Sequence, residues 1–189
     1  MAAPPPATMH PRPFTADEVW RMVDAGIIRP DERVELLDGE LVVVSPSSPA
    51  HAGTVQRLNA ALSHIYLPER EVRVQSVLPS GERSLPEPDL VILPADLDVQ
   101  RRHPRAEETL LAIEVAVTSM PVDRRKARIY AAAGVPVYWI VDVDGRAVHV
   151  LQDPSPDGYL TRHTLSGDAR LPLPGAEAHL TVREVLPPL

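Results

Sequence analysis

Four ionisable residues, Glu35, Asp89, Glu114 and Lys126, sit at positions where chemistry could be done. Glu114 interrupts an apolar run of strand length, Leu110-Leu-Ala-Ile-Glu-Val-Ala-Val117. Side chains alternate along a strand, so Glu114 shares its face with Ala112 and Ala116, which leave room beside it. Lys126 follows on a helix whose stripe of Val122, Lys126, Ile129, Tyr130 and Ala133 should face the sheet. Lys126 is the one lysine among 19 basic residues; the other 18 are arginine. A buried ammonium needs an anionic partner or hydrogen bonds. Asp89 opens a short apolar strand directly after Pro88, which fixes the backbone before the acid. Glu35 lies on the first strand of a hairpin, on the same face as Leu37.

If neighbouring strands bring Asp89 and Glu114 together, the two carboxylates repel in a partly dry site. A divalent cation removes that penalty, and oxygen ligands of this kind suit Mg²⁺ or Mn²⁺. A lysine beside them could position or help deprotonate a water, or stabilise charge on a phosphorus centre. A plainer reading stands beside each residue. Glu114 and Lys126 could form a structural buried salt bridge. Asp89 could be a turn aspartate, Glu35 a solvent-facing strand residue, and His51 a surface or capping histidine.

The elements that must position these residues follow from periodicity and punctuation. Residues 1–13, rich in Ala and Pro, are expected to form a flexible tail, and residues 14–189 a single domain. Thr15 caps a helix over 16–26, with acids in its first turn. Asp38-Gly39 between apolar runs predicts a hairpin over 33–44. Ser45-Pro46-Ser-Ser-Pro49 leads into a helix over 50–66, with Val55, Leu58, Leu62 and Ile65 inward and His51 in its first turn. Strands are expected over 70–78 and 85–93. Between 94 and 108 lies a polar excursion containing Arg101, Arg102 and Arg105. A strand–helix–strand unit over 110–141 is delimited by Pro121 and Gly134. A strand follows at 146–151, a loop at 153–158, and a strand at 159–165. The 171–189 tail is expected to add short edge strands and irregular coil.

Composition bounds the function. The chain has 189 residues, 44% hydrophobic and 24% charged, which are ordinary globular values. With no cysteine, disulfides and thiolate metal sites are excluded, and a reducing cytoplasm suits the chain. No signal peptide is expected, and no run approaches the roughly 18–20 apolar residues of a membrane span. A net charge of −7 argues against broad nucleic-acid binding through an overall positive field. A local site where a metal ion offsets the acids stays open.

Pro88-Asp89 followed by Glu114-Val115-Ala116 resembles the PD-(D/E)-x-K nuclease superfamily. The wider pattern is similar to the Uma-type restriction endonuclease family. It includes Val34-Glu-Leu-Leu-Asp-Gly-Glu40, His51, Val74-Gln75-Ser76, Pro86-Glu-Pro-Asp-Leu90, Lys126, Tyr130, Gly134-Val-Pro136 and Tyr138-Trp139, within residues 14–152. The superfamily's lysine stands two residues after the acid, where this chain has Ala116. The resemblance implies that Lys126 replaces it from the helix. It also implies an α/β (α+β) fold with a restriction-endonuclease-like core, a mixed sheet flanked by helices, and an N-terminal β-hairpin. Asp89 and Glu114 would bind Mg²⁺ or Mn²⁺, with Glu35 a further ligand or an acid behind the ligands. Lys126 would orient the attacking water, and His51 and Gln75 would line the cleft. The expected reaction is metal-assisted hydrolysis of DNA phosphodiester bonds in the cytoplasm, by a protein that could act as a homodimer. The competing expectations are a catalytically inactive binding or assembly module on the same fold, and a hydrolase of small phosphorylated substrates.

Overall fold

The computed structural model describes residues 11–188. The expected tail at 1–13 therefore falls largely outside the described residues. Within them, Arg12 pairs with Glu18 at 2.8 Å.

The chain begins with helix α1 (Ala16–Asp24), closed by a capping box between Thr15 and Glu18. The hairpin β1 (Val34–Leu37) and β2 (Glu40–Val43) follows. Asp38 and Gly39 both have positive φ, 51° and 86°, as its tight turn requires. A side chain at position 39 would also run into Pro13. Helix α2 (Pro49–Tyr66) begins behind a Ser48 cap with proline in its first turn.

Six strands form the main sheet: β3 (Arg70–Val74), β4 (Leu90–Pro94), β5 (Leu111–Ala116), β6 (Val137–Asp142), β7 (Ala147–Ser155) and β8 (Gly158–Ser166). They lie in sequence order, and every pairing is antiparallel except β5 with β6. That parallel pair is joined by helix α3 (Met120–Ala132), since parallel neighbours need a long crossover. The sheet is thus mixed, flanked by helices, and accompanied by the separate hairpin.

Alternation along β5 divides the core in two. Leu111, Ile113 and Val115 join the apolar layer under α2, while Ala112 and Ala116 join the layer under α3 with Tyr130 and Tyr138. A third cluster, built on Val19, Ile28, Leu36 and Leu85, fastens α1 and the hairpin to the rest.

Three segments differ from expectation. The strand expected over 70–78 stops at Val74, because Gln75 turns the backbone left-handed at φ 46°. The strand expected over 85–93 is regular only from Leu90, and Leu85 instead bridges to Leu36 of the hairpin. The loop expected over 153–158 is mostly strand, with β7 reaching Ser155 through a positive-φ residue, Asp153. The C-terminal segment carries a short helix, α4 (Val182–Val185), and packs Leu171, Leu173, Leu180, Val182, Val185 and Leu186 into the α2-side core. Its apolar residues are spaced irregularly among prolines, which hides a buried coil from periodicity.

Candidate active site

The four residues singled out above arrive at one cleft by four routes. Glu35 comes from β1 of the hairpin. Lys126 comes from the inner face of α3, and Glu114 from the middle of β5. Asp89 precedes β4 by one residue. Leu90 pairs with Ile113, so one further antiparallel step sets Asp89 opposite Glu114. All four are buried, at 5, 6, 4 and 5% exposure for Glu35, Asp89, Glu114 and Lys126.

Lys126 Nζ donates to Glu35 Oε1 at 2.9 Å and to Glu114 Oε1 at 3.0 Å. It also lies 2.9 Å from Glu35 Oε2, so both oxygens of that carboxylate face the ammonium. Tyr130 OH donates to Glu114 Oε1 at 3.0 Å. Asp89 Oδ2 accepts from the Val115 backbone N–H at 2.8 Å and stands 3.0 Å from His51 Nε2. The hairpin is tied to α3 by Arg125, which donates to the Leu37 carbonyl at 2.7 Å and to Glu40 at 2.8 Å. This tie holds Glu35 against Lys126.

Around these groups opens a cleft of about 350 Å³, lined also by Val42, Val43, Gln75, Glu87, Ser119, Val122 and Asp123. His51 and Gln75 both line this cleft. The Gln75 backbone N–H donates to the Asp89 carbonyl, so its left-handed turn also braces the strand start. Glu35 is buried rather than solvent-facing, and His51 is half-buried with its ring against Asp89. The arginine-bearing 94–108 excursion lies away from the cleft. There Arg102 forks onto Glu108 and His103 stacks on Trp20.

Charge in the cleft is unbalanced. Burial raises the Glu114 carboxyl well above the usual carboxylate range; Lys126 opposes this, and Asp89, Asp123 and Glu35 reinforce it. Burial likewise pushes Asp123 up to about 6, although Ser119 Oγ donates to it at 2.5 Å. Glu87 is raised by burial and by Glu35. Lys126 is desolvated, yet Glu114 and Glu35 hold its charge firmly, and its pKa rises. The hydrogen bond to Asp89 raises His51. One ammonium therefore faces an excess of buried acid, an arrangement that attracts cations.

The oxygen donors fit a hard divalent cation. The bonds to Asp89 use Oδ2 and those to Glu114 use Oε1, so among the described residues Asp89 Oδ1, just before β4, and Glu114 Oε2, on β5, stay uncommitted. Among the described residues no three His, Asp or Glu side chains form a ready cage. A cation held by two carboxylates would complete its shell with water and substrate, as Mg²⁺ commonly does.

Tyr130, Asp123 and Glu87 all fall within the family pattern, but sequence reasoning gave them no role in the site. Tyr130 was legible as a member of the helix stripe and of the family pattern, but not as a partner of Glu114. Asp123 stood in an acid-favoured first helical turn, which is ordinarily solvated. Glu87 lay in a proline-bounded turn.

Residues 18–183 match the Uma2 family, described as "Putative restriction endonuclease". Among solved structures, the chain is similar to "a putative nuclease belonging to DUF820" from Anabaena variabilis. The TM-score is 0.72 at 17% identity, over 92% of this chain and 97% of that one. No protein with a curated description matches.

Proposed function

This chain belongs to the Uma2 family of restriction-endonuclease-like proteins, and from that premise we propose that it is a metal-dependent DNA endonuclease. The observation that carries the reading is the convergence of Asp89, Glu114, Glu35 and Lys126 in one cleft, from the approach to β4, from β5, from the hairpin and from a helix.

Asp89 and Glu114 would hold Mg²⁺ or Mn²⁺ through their uncommitted oxygens. When bound, such an ion neutralises phosphate charge and makes water a better nucleophile at neutral pH. The chain's own residues do the rest. Val115 N–H and His51 fix the Asp89 carboxylate, and Tyr130 fixes that of Glu114. Lys126 Nζ can donate to a water or a phosphate oxygen in the cleft. Of the two roles implied for Glu35, the acid behind the ligands suits its two-oxygen contact with Lys126. The described residues offer one such cleft, and a homodimer would bring two of them to the two strands of a duplex. In this reading the enzyme works on DNA in the cytoplasm.

One observation favours a second reading, that of an inactive binding module. The ammonium of Lys126 is already matched by two carboxylates, as in a purely structural ion pair. Supercoiled plasmid separates the two. The wild type is expected to nick it in Mn²⁺, and EDTA to stop the reaction. Asp89→Asn keeps an oxygen for the Val115 N–H and should lower the rate about 100-fold or more. Lys126→Ala should abolish nicking, but it strands two buried carboxylates at about 3–5 kcal/mol, so Asp89→Asn is the cleaner variant. Equal nicking by wild type and Asp89→Asn would overturn the assignment. No nicking by the wild type would leave the binding module.

A further inference from the structure

Helix α3 has two flanks. Asp123 and Lys126 line the cleft on one side. On the other, α3 and the β7–β8 hairpin enclose a second depression of about 360 Å³. Its wall carries Arg124 and Arg128 from α3 and Arg162 from β8, with His149 and His163 beside them. Asp157 is the one acid in this lining. In a chain of net charge −7, this local positive excess stands against the overall balance.

The register explains why His149 and Arg162 face the helix, while His163, paired with Val150, borders the groove from the other face of the hairpin. His149 pairs with Thr164, and Leu151 with Arg162, so alternation sets His149, Leu151, Thr164 and Arg162 on one face of the hairpin. Leu151 belongs to the apolar layer beneath α3, which identifies that face as the helix side. Arg124 makes no ion pair or side-chain hydrogen bond among the described residues. Arg162 reaches only the Tyr159 carbonyl, at a long 3.4 Å. Arg128 is held at 3.1 Å by Asp38, in the turn of the hairpin that also carries Glu35. Two guanidinium groups are thus exposed and uncommitted, and planar guanidinium forks match phosphate oxygens.

We propose that this groove binds the phosphodiester backbone of duplex DNA at a distance from the bond being cut. The proposal rests on the endonuclease reading, and deepens it, by assigning a docking surface for the polymer. Cleft and groove are separated by one helix, a width of about 10–12 Å. A polymer entering the cleft therefore crosses the exposed ridge of α3 and meets the groove. A small phosphodiester in the cleft cannot span that distance. Phosphate contacts of this kind set position and affinity without reading sequence.

The test compares the wild type with Arg124→Ala/Arg162→Ala. A second double variant, Arg101→Ala/Arg105→Ala, removes two exposed arginines elsewhere. Binding to a short fluorescein-labelled duplex is followed by anisotropy in EDTA across a salt series. The groove variant should bind about tenfold or more weakly at low salt, and its log–log salt slope should fall by about 2, near 0.9 for each phosphate no longer engaged. The control variant should behave as wild type. In Mn²⁺, the groove variant should nick plasmid more slowly yet hydrolyse bis(p-nitrophenyl) phosphate at the wild-type rate. Unchanged duplex affinity and slope overturn the groove even if the wild type nicks plasmid. An equal loss in the control variant, or an equal loss on the small diester, also overturns it. So does a groove variant that loses only a melting-temperature rise induced by inorganic phosphate, since the groove would then be a small-anion site. Weakened binding by the groove variant, with no nicking by the wild type, keeps the groove and sinks the endonuclease reading instead.

Discussion

Asp123 bears an electrostatic cost that its neighbours impose. Burial lifts its carboxyl from 3.8 to about 6, so the folded chain holds that proton more tightly than the unfolded chain does. Stability must then fall as pH rises through that window. Asp123→Asn removes the titration and keeps an acceptor for Ser119. It should be more stable than wild type at pH 8, by on the order of 2–3 kcal/mol, and no more stable at pH 4. Urea melts at the two pH values check this, and a difference that does not change with pH would refute it. Other residues were plainer in the sequence. Lys126 stood out as a lone lysine on an apolar stripe, and Glu114 as an acid inside a strand. The His51–Asp89 contact was not legible, because it joins a helix start to a strand start 38 residues apart. Tyr130 hides a polar task in an apolar pattern, since its ring packs in the core while its hydroxyl meets Glu114.

At the scale of elements, the hairpin is the piece most open to adjustment. It forms its own two-stranded sheet outside the six-stranded one, and such a pair is marginal alone. Leu36 and Leu85 fasten one side of it. Arg125 fastens the other, through the Leu37 carbonyl, Glu40 and, at 3.4 Å, Asp38. Arg125→Ala should cost about 1 kcal/mol, because these bonds are charged yet partly solvated. Its local effect should be larger. Amide exchange over Val34–Val43 should quicken while β5 and β6 keep their protection. Uniform quickening across the chain would show that Arg125 is a general surface residue and no clasp. The hairpin itself was evident from Asp38-Gly39, and the strand–helix–strand unit from its prolines and glycine. Strand ends were less so. Gln75 ends β3 by a backbone turn that its residue type does not announce, since left-handed φ favours Gly, Asn or Asp.

At the scale of the molecule, the last segment completes the core. Leu171, Leu173, Leu180, Val182, Val185 and Leu186 are all buried with α2 and the sheet. At about 1.5–3 kcal/mol for each buried side chain, the six together match the whole stability of a typical domain, about 5–15 kcal/mol. A chain ending at Asp168 should show no cooperative thermal transition by circular dichroism, although every residue of the candidate site is present. A sharp transition near that of the full chain would refute this. The fold class was legible through the family resemblance, with the strand–helix–strand unit over 110–141 as its local sign. This closing segment was not, because burial in irregular coil leaves no period to count.

The hydrogen bond from Tyr66 OH to the Pro174 carbonyl spans 108 residues of sequence. A ribosome delivers those partners at widely separated times. Helix α2 and all six strands of the main sheet emerge before Leu171, and wait with one apolar face incompletely covered. The cleft's own residues, from Glu35 to Lys126, are synthesised well before the chain that stabilises them. Loop-closure entropy opposes contacts of such sequence separation, so the closing segment should order after the sheet it covers. The candidate site therefore depends for its support on chain that follows it by more than 40 residues.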